Sequence, residues 1–423
     1  MTSRRCYVYL QLPGSMEVVT CGQYEREPAA AAGAVGRFIY RRRYRARPDA
    51  VALDPIGLPL TDRVVETAGL GGIHGALRDA TPDAWGRHVI ERALGRTDLD
   101  EMDYLLNAPE DRFGALSFGL GKEPPPPVRR FNRIVQLAQL REAAARLEAG
   151  ESPATFPEHL RMLVAPGTSL GGARPKSVVE DDQGLWLAKF PARADRWNNA
   201  VVEAAMLALA RRADIRTPPT RLEPLGDETV LLLGRFDRDK TEAGYLRHRV
   251  LSGLSVLGAG EAVTDRQRWS YLLLSDEIQR RSERPVDDKA ELYRRMVFNA
   301  LISNDDDHPR NHALVARGVG WRLAPAYDLG PHPSTSQQRE LALVAGLHGR
   351  AARRGNLLSA APRFGLDPTA ATAIVDGIKA TVAAHWESEV RRLGGTTADC
   401  DAIRSAFAYA GFDHPEPHSS VPK

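Results

Sequence analysis

The sequence predicts an α+β fold in which strand-rich segments come first and a mainly helical part follows. Two patterns indicate this. Short runs of alternating apolar residues, such as "CYVYLQL" and "GRFIYRRRYRAR", lie before residue 50, and such alternation is typical of half-buried strands. From about residue 246 onward, apolar residues recur with the period of a helix, as in "WSYLLLSDEIQRR" and "KAELYRRMVFNALIS". In the second strand, Phe38, Tyr40 and Tyr44 are expected on one face.

The middle of the chain reads as an α/β unit. "KSVV" and "LWLAKF" flank the polar turn "EDDQG" as a hairpin, which puts Leu185, Leu187 and Lys189 on one face. The amphipathic helix "NNAVVEAAMLALARRADI" and the strand "TVLLLGRFDRD" follow. Because four prolines stiffen "GKEPPPPVRRF", we expect a domain boundary there. The predicted domains are residues 1–125, 126–245 and 246–423.

Composition excludes few functions but indicates the environment in which the protein works. The formal net charge of +3 comes from 57 basic and 54 acidic residues and gives no overall pull toward nucleic acid or membrane. Three cysteines without metal-ligand spacing, and no run near the roughly 18 apolar residues of a spanning helix, predict a soluble cytoplasmic protein. The basic runs "RRRYRAR" and "HGRAARRG" are more typical of solvated faces than of a DNA-binding surface.

The stretch "NDDDHPRNHA", residues 304–313, crowds three aspartates directly after an apolar helix. Adjacent carboxylates repel unless a cation or a proton lies among them, so the stretch indicates a metal or catalytic loop; the alternative is a solvated turn. "HALVA" and "WRLAP" read as a hairpin around "RGVG", which places Asn311 and Asp328 opposite each other. An amide oxygen and a carboxylate suit Mg²⁺, and Asp306 is close enough to act as a base.

The upstream half offers groups for a nucleotide in a consistent order. Backbone amides of a glycine-rich loop can approach the phosphates of a nucleotide, and Lys189 can reach the same phosphates. Glu203 on the next helix can pair with Lys189 and hold it in place. Phe236 can provide an apolar surface against which adenine packs. The loop residues concerned are Gly167, Thr168, Ser169, Gly171 and Gly172. Glycine loop, lysine, helix glutamate, hinge, base and metal pair form the chain order of a protein-kinase-like fold.

Several motifs together resemble one family. "SLGGARPK", "WLAKFP", "GRFDR", "FNALISNDDDHPRNHALV" and "GWRLAPAYDLGP", with "LPLTDR", "GALRDATPDAWGR", "EDRFGALSFG" and "NLLSAAPRFGL", are similar to the HipA family of bacterial toxin serine/threonine kinases. The resemblance implies a two-lobed α+β fold related to protein and phosphoinositide kinases. It also implies an extra N-terminal α/β subdomain and a mainly helical C-terminal lobe.

The resemblance implies specific roles as well. Asp306 would be the catalytic aspartate, Asn311 and Asp328 the Mg²⁺ ligands, Lys189 a phosphate contact, and Ser169 the autophosphorylated loop serine, with Thr168 as the alternative acceptor. Two further residues are expected in the same loop from their chemistry. His308 is expected to orient the loop by hydrogen bonding, and Arg310 either holds the γ-phosphate or is a surface arginine.

The function expected is that of an ATP- and Mg²⁺-dependent serine/threonine protein kinase, the toxin of a type II toxin-antitoxin system. Its partners would be a HipB-like DNA-binding antitoxin, through which it meets DNA indirectly, and a translation protein such as glutamyl-tRNA synthetase. Two alternatives stay open: a small-molecule kinase of the same fold and a non-catalytic ATP-binding regulator. Two other motif assignments fail on details. "HPRNH" has the histidine spacing of a zinc-protease helix but lacks the glutamate base, and "GGARPKS" is similar to a Walker phosphate-binding loop but has proline before the lysine.

Overall fold

A computed structural model describes residues 4–29, 33–126, 131–161 and 174–415. Its strands, in chain order, are β1 Arg5–Gln11, β2 Val18–Ala29, β3 Gly33–Tyr40, β4 Val65–Thr67, β5 Leu116–Gly119, β6 Asn132–Arg133, β7 Lys176–Asp181, β8 Gly184–Lys189, β9 Thr220–Leu225, β10 Glu228–Gly234, β11 Arg238–Thr241, β12 Gly244–Arg247, β13 Arg249–Ser252, β14 Ala313–Ala316 and β15 Arg322–Leu323.

The helices alternate with these strands at first and dominate after residue 253. They are α1 Arg42–Arg45, α2 Gly75–Asp79, α3 Ala84–Leu94, α4 Glu101–Asn107, α5 Leu137–Glu148, α6 Glu158–Arg161, α7 Asn199–Arg212, α8 Gly253–Leu257, α9 Tyr271–Arg281, α10 Pro285–Leu301, α11 Arg354–Ala360, α12 Pro368–Arg392 and α13 Thr397–Phe407. The strand-rich beginning and helical remainder confirm the predicted α+β class. None of the helices in the described ranges is long and apolar enough to cross a bilayer.

Packing divides the chain into two compact units that are not continuous in sequence. The first contains residues 1–192, 223–260 and 313–321, and the second contains residues 193–222, 261–312 and 322–423. The three continuous domains expected from the sequence stay a prediction.

The first unit opens with an antiparallel sheet in the order β4-β3-β2-β1-β5. Phe38 and Tyr40 lie buried on β3, as their alternation predicts. The prediction that Tyr44 continues this strand is wrong, because β3 ends at Tyr40 and α1 begins at Arg42. The helical turn stacks the ring of Tyr44 on that of Tyr40 at 5.9 Å and lets its hydroxyl donate to the Val51 carbonyl at 2.7 Å.

A second sheet of the same unit has β6, β7, β8 and β10 as neighbours. The hairpin of β7 and β8 confirms the predicted one, and its register puts Lys176 opposite Lys189. On one face Trp186, Ala188 and Val179 pack with apolar residues of α3 and α5 in a buried core. Leu185, Leu187 and Lys189 alternate with that face and are also buried. The sheet therefore presents Lys189 on the side opposite this core.

A buried ionic cluster joins two motifs that are far apart in the sequence. Asp237 of "GRFDR" is fully buried and accepts hydrogen bonds from Arg235 Nε at 2.7 Å, from Arg238 Nη1 at 2.7 Å and from the Gly114 amide at 2.9 Å. Arg238 also donates to the Arg112 carbonyl of "EDRFG" at 2.6 Å. The neighbouring guanidinium groups outweigh the cost of burial and hold the pKa of Asp237 well below its usual range. The cluster fixes the first sheet to the second.

The second unit is built on α10, which packs against α9 and α12. Asp288 on α10 is fully buried and accepts from Arg322 Nε and from the Leu323 amide, each at 2.9 Å. Although burial opposes it, Arg322 lowers the pKa of Asp288, so the carboxylate stays charged and holds β15 against the helix. This contact fixes the start of the segment that leads to Asp328.

Candidate active site

The acidic loop, residues 303–312, follows the end of α10 and is closed by its own backbone. The Asn304 amide donates to the Asn299 carbonyl at 2.9 Å, and the His308 amide donates to the Asp306 carbonyl at 2.8 Å. Ser303 adopts a left-handed φ of 56°, which is uncommon outside glycine. The chain therefore turns sharply out of the helix into a tight loop.

The three adjacent aspartates of this loop have three different environments. Asp307 is 1% exposed and accepts hydrogen bonds from Tyr271 and His312. Asp305 is exposed and pairs with His332. Asp306 is exposed. The crowding of carboxylates is thus relieved by one burial and one ion pair, and Asp306 is exposed beside Asn311, whose Nδ2 donates to the Asp306 backbone carbonyl.

Asn311 lies beside Asp306, and the two ends of its side-chain amide differ in their contacts. Its Nδ2 donates to the Asp306 carbonyl at 3.2 Å, whereas its Oδ1 is buried without a hydrogen-bond partner in the described part of the chain. A buried amide oxygen is costly to leave unpaired. A buried amide oxygen without a hydrogen bond is expected where the oxygen binds a metal ion in the active protein.

Asp328 reaches the same region from β15. Tyr327 donates its hydroxyl to the Arg310 carbonyl at 2.9 Å, so the residues that precede Asp328 and Asn311 are joined by a hydrogen bond. Asp328 has a left-handed φ of 60°. Strained backbone of this kind costs roughly 1–3 kcal/mol and is common at functional sites.

The residues present fit a magnesium ion better than a transition metal. A carboxylate and an amide oxygen are hard ligands, which Mg²⁺ accepts while it keeps water and phosphate oxygens in its other positions. Among the described residues, no group of three or more His, Cys, Asp or Glu side chains is arranged to hold a metal. A metal here would therefore need the Asn311 oxygen and the oxygens of a bound nucleotide.

His332 also lies beside the acidic loop, although nothing in the sequence marks it as a site residue. Its contact with Asp305 raises the pKa of the imidazole against the opposing effect of burial, and the charges of Asp306 and Asp328 raise it further. Through its ion pair with Asp305, the neighbour of Asp306 in the sequence, His332 belongs to the surroundings of the acidic loop. Because His332 lies in an irregular segment four residues after Asp328, no periodicity signals it.

His308 and Arg310 have local contacts within the second unit. His308 Nδ1 accepts a hydrogen bond from the Arg310 amide at 3.2 Å and caps the turn Pro309–Asn311, while its ring lies 6.2 Å from that of Trp269. Arg310 donates through Nε to Glu261 at 2.8 Å, and its side chain is 23% exposed. Hydrogen bonding by His308 is thus present, and contact of Arg310 with a phosphate stays a prediction.

The other predicted site residues are distributed over both units. Lys189 ends β8 and Phe236 packs edge-to-face on Phe113 at 5.5 Å, both in the first unit, whereas Glu203 lies on α7 in the second. The pairing of Lys189 with Glu203 stays a prediction. The predicted loop residues lie outside the described part of the chain: Gly167, Thr168, Ser169, Gly171 and Gly172.

The α+β architecture is shared with a solved chain of a HipA complex and has the protein-kinase-like fold that the sequence predicts. Two family models match: the HipA-like C-terminal domain over residues 168–386 and the HipA N-terminal domain over residues 19–119. The chain belongs to the HipA family.

Individual relatives are distant in sequence. A chain of the Shewanella oneidensis complex of HipA, HipB and operator DNA has 18% identity and a TM-score of 0.68, with 95% of this chain and 96% of that chain covered. A Haemophilus influenzae protein is 24% identical over 197 residues, which is 42% of this chain. That protein bears a provisional name as a kinase. The match spans 57% of that relative's own length. The Helicobacter pylori proinflammatory kinase CtkA has 14% identity and a TM-score of 0.35, with 56% of this chain and 92% of that chain covered.

Proposed function

We propose that the protein is an ATP- and Mg²⁺-dependent serine/threonine protein kinase that acts as the toxin of a type II toxin-antitoxin system. The observation that carries the proposal is the arrangement of the acidic loop. Exposed Asp306 lies beside Asn311, whose buried amide oxygen has no hydrogen-bond partner among the described residues, and Asp328 is held nearby in a strained conformation. A base with two hard oxygen ligands is the minimum that a phosphoryl-transfer site requires.

In the proposed reaction the hydroxyl oxygen of a serine or threonine forms a bond to the γ-phosphorus of ATP. The bond from that phosphorus to the β–γ bridging oxygen breaks, and ADP leaves with the electron pair. Asp306 accepts the proton of the attacking hydroxyl. Its exposure is consistent with this role, since the acceptor must come within about 3 Å of the carboxylate.

Asn311 and Asp328 would hold Mg²⁺, which when bound supplies positive charge to the phosphates. Lys189 is 8% exposed at the end of its strand, and we propose that its ammonium group binds phosphate oxygens. Phosphate would also bind the glycine-rich loop through the backbone amides of Gly167, Gly171 and Gly172. We propose that Phe236 provides an apolar wall for adenine.

The toxin role and the partners rest on the family. The Shewanella relative is named in a complex with HipB and operator DNA, and we propose a HipB-like antitoxin as the partner of this chain too. We further propose that the phosphorylated target is a translation protein, for example glutamyl-tRNA synthetase. Autophosphorylation of Ser169 would place a charge of roughly −1.5 to −2 in the loop that cradles ATP and would limit the kinase.

Incubation of the protein and of its Asp306→Asn variant with γ-labelled ATP and a cell lysate tests the proposal. We expect labelled protein bands with the parent and not with the variant. Label confined to small molecules would replace the proposal with the small-molecule kinase, and no label in either fraction would leave a non-catalytic regulator. Phosphoamino-acid analysis of the labelled bands decides whether serine and threonine are the acceptors.

A further inference from the structure

We propose that Asp307, together with Tyr271 and His312, is a buried positioning group that sets the direction in which Asp306 faces. The inference rests on the proposed function, since it assigns a role in the same reaction. It concerns residues that never touch the substrate, and it follows from a hydrogen-bond network beneath the acidic loop.

The network is centred on one carboxylate oxygen. Asp307 Oδ2 accepts the Tyr271 hydroxyl, and it lies 2.9 Å from His312 Nε2. Tyr271 belongs to α9 and is fully buried, and His312 is 4% exposed. The rings of Tyr271 and His312 meet edge-to-face at 5.4 Å. A helix outside the loop and the last residue of the loop therefore bind the same atom.

The start of the loop joins the same network. Asn299 Nδ2 donates to the Tyr271 hydroxyl oxygen at 3.2 Å, and Asn304 Nδ2 donates to Asn299 Oδ1 at 3.1 Å. Asn299 is fully buried and Asn304 is 2% exposed. The Tyr271 hydroxyl thus accepts one hydrogen bond and donates another. Both ends of the acidic loop and its centre are tied to one buried tyrosine.

Within the residues that the structure describes, the Asp307 carboxylate contacts Tyr271 and His312 and makes no ion pair with Arg or Lys. His312 Nδ1 is buried and has no hydrogen-bond partner in the described ranges, so a proton on that nitrogen would be unpaired. Because a carboxylate oxygen only accepts, His312 Nε2 is the donor of its contact with Asp307. Tyr271 and His312 therefore both donate to the carboxylate. Loss of either donor would leave the buried Asp307 carboxylate with fewer hydrogen bonds than it has with both.

Alternation along the chain connects this network to the reaction. Asp306 and Asp307 are neighbours, and the first is exposed while the second is 1% exposed. Because one peptide unit joins the two residues, a backbone rotation that moves Asp307 out of its buried position also changes the direction of the Asp306 side chain. A displacement of about 1 Å in a reacting group can lower a rate on the order of 10²-fold. The buried network would hold the base in place in this way.

The Tyr271→Phe variant tests the inference, with Tyr293→Phe as the matched control. Tyr293 is fully buried in the same unit and donates its hydroxyl to the Leu357 carbonyl at 3.1 Å, away from the loop. We expect Tyr271→Phe to lower kcat by about 10- to 100-fold, with the KM for ATP changed by less than about twofold. Tyr293→Phe should change both by less than about twofold.

Two comparisons separate positioning from general damage. In the Asp306→Asn background, Tyr271→Phe should lower the remaining rate by less than about twofold, because the group that it positions no longer acts. Hydrogen exchange of a peptide that spans residues 303–312 should be faster in Tyr271→Phe and unchanged in Tyr293→Phe. Equal exchange in the two variants, or equal loss of kcat, would overturn the inference.

The exchange experiment does not depend on activity. If the parent transfers no phosphate, the proposed function fails, whereas the anchoring of the loop by Tyr271 is still decided by the exchange rates. If the parent is active and the loop exchanges no faster without the Tyr271 hydroxyl, the proposed function stands and the positioning network is wrong.

Discussion

The buried ion pair of Lys176 and Asp83 should make the first unit sensitive to the loss of either partner. Lys176 Nζ lies 2.6 Å from Asp83 Oδ2, and the two side chains are 1% and 2% exposed. The Lys176→Met variant keeps the length and apolar stem of the side chain but leaves the carboxylate buried without its cation. Removal of one partner of such a pair costs about 3–5 kcal/mol.

A second hydrogen bond of Asp83 refines the expected magnitude. Its Oδ1 accepts from the Gly86 amide at 2.8 Å and so caps α3. Asp83→Ala loses the cap as well, which adds about 1 kcal/mol to the destabilisation. The double variant Lys176→Met with Asp83→Asn removes both charges and keeps an acceptor for the cap. It should therefore be less destabilised than Lys176→Met alone.

Hydrogen exchange of peptides from β7 and α3 measures the free energy of opening at this contact. Asp98→Asn is the matched control, because its partner Arg96 and Asp98 itself are 46% and 76% exposed, and such a surface pair contributes about 0–1 kcal/mol. A loss below about 1 kcal/mol in Lys176→Met would refute the reasoning. The contact also gives a structural reason why the lysine of "GGARPKS" is not a Walker lysine: its ammonium group is buried on Asp83.

Three further predictions concern the metal pair, the glycine-rich loop and a buried histidine. Asp328→Ala should abolish the strengthening of nucleotide binding by Mg²⁺, and calorimetry that finds an undiminished effect would contradict the assignment. Mass spectrometry of protein made in cells should find phosphate on Ser169 in the parent and none in Asp306→Asn, and Ser169→Asp should bind ATP more weakly than the parent. Burial lowers the pKa of His74 to about 4, while its Nε2 lies 3.1 Å from the Val65 carbonyl. Between about pH 6.5 and pH 4 the unfolded chain binds a proton on His74 that the folded chain does not. The free energy of unfolding should therefore fall over this range, by about 3 kcal/mol from this group. Acid unfolding of His74→Gln should show a smaller fall.

The sequence allowed the elements with a strong period to be predicted. The hairpin of β7 and β8 and the helices α7, α9 and α10 lie where apolar spacing places them. Tyr44 is the instructive failure, because the even spacing of residues 38, 40 and 44 fits strand alternation although Tyr44 lies four positions after Tyr40. A spacing of four is the spacing of a helical turn, and the stacking of Tyr44 on Tyr40 is a tertiary contact that local pattern does not encode.

The acidic loop shows a similar limit. Residue types and order were enough to propose Asp306, Asn311 and Asp328 as site residues, since base, amide and carboxylate stand in an order typical of phosphoryl transfer. The buried state of Asp307 was not predicted, because a carboxylate inside "NDDDH" looks like its neighbours. Its burial depends on Tyr271, which is 36 residues away in the sequence. Pattern reading identifies which residues are polar, but tertiary packing decides which of them is anchored.

If Asp306 is the base of a phosphotransferase, its replacement by asparagine should slow phosphorylation, and the rate of the Asp306→Asn variant measures this. Asp305→Asn is the control, since it removes the same charge from an exposed neighbour that pairs with His332. We expect Asp306→Asn to lose about 10²- to 10⁴-fold in rate while nucleotide affinity is kept, and Asp305→Asn to lose less than about tenfold. A rate for Asp306→Asn within about threefold of the parent would contradict the account.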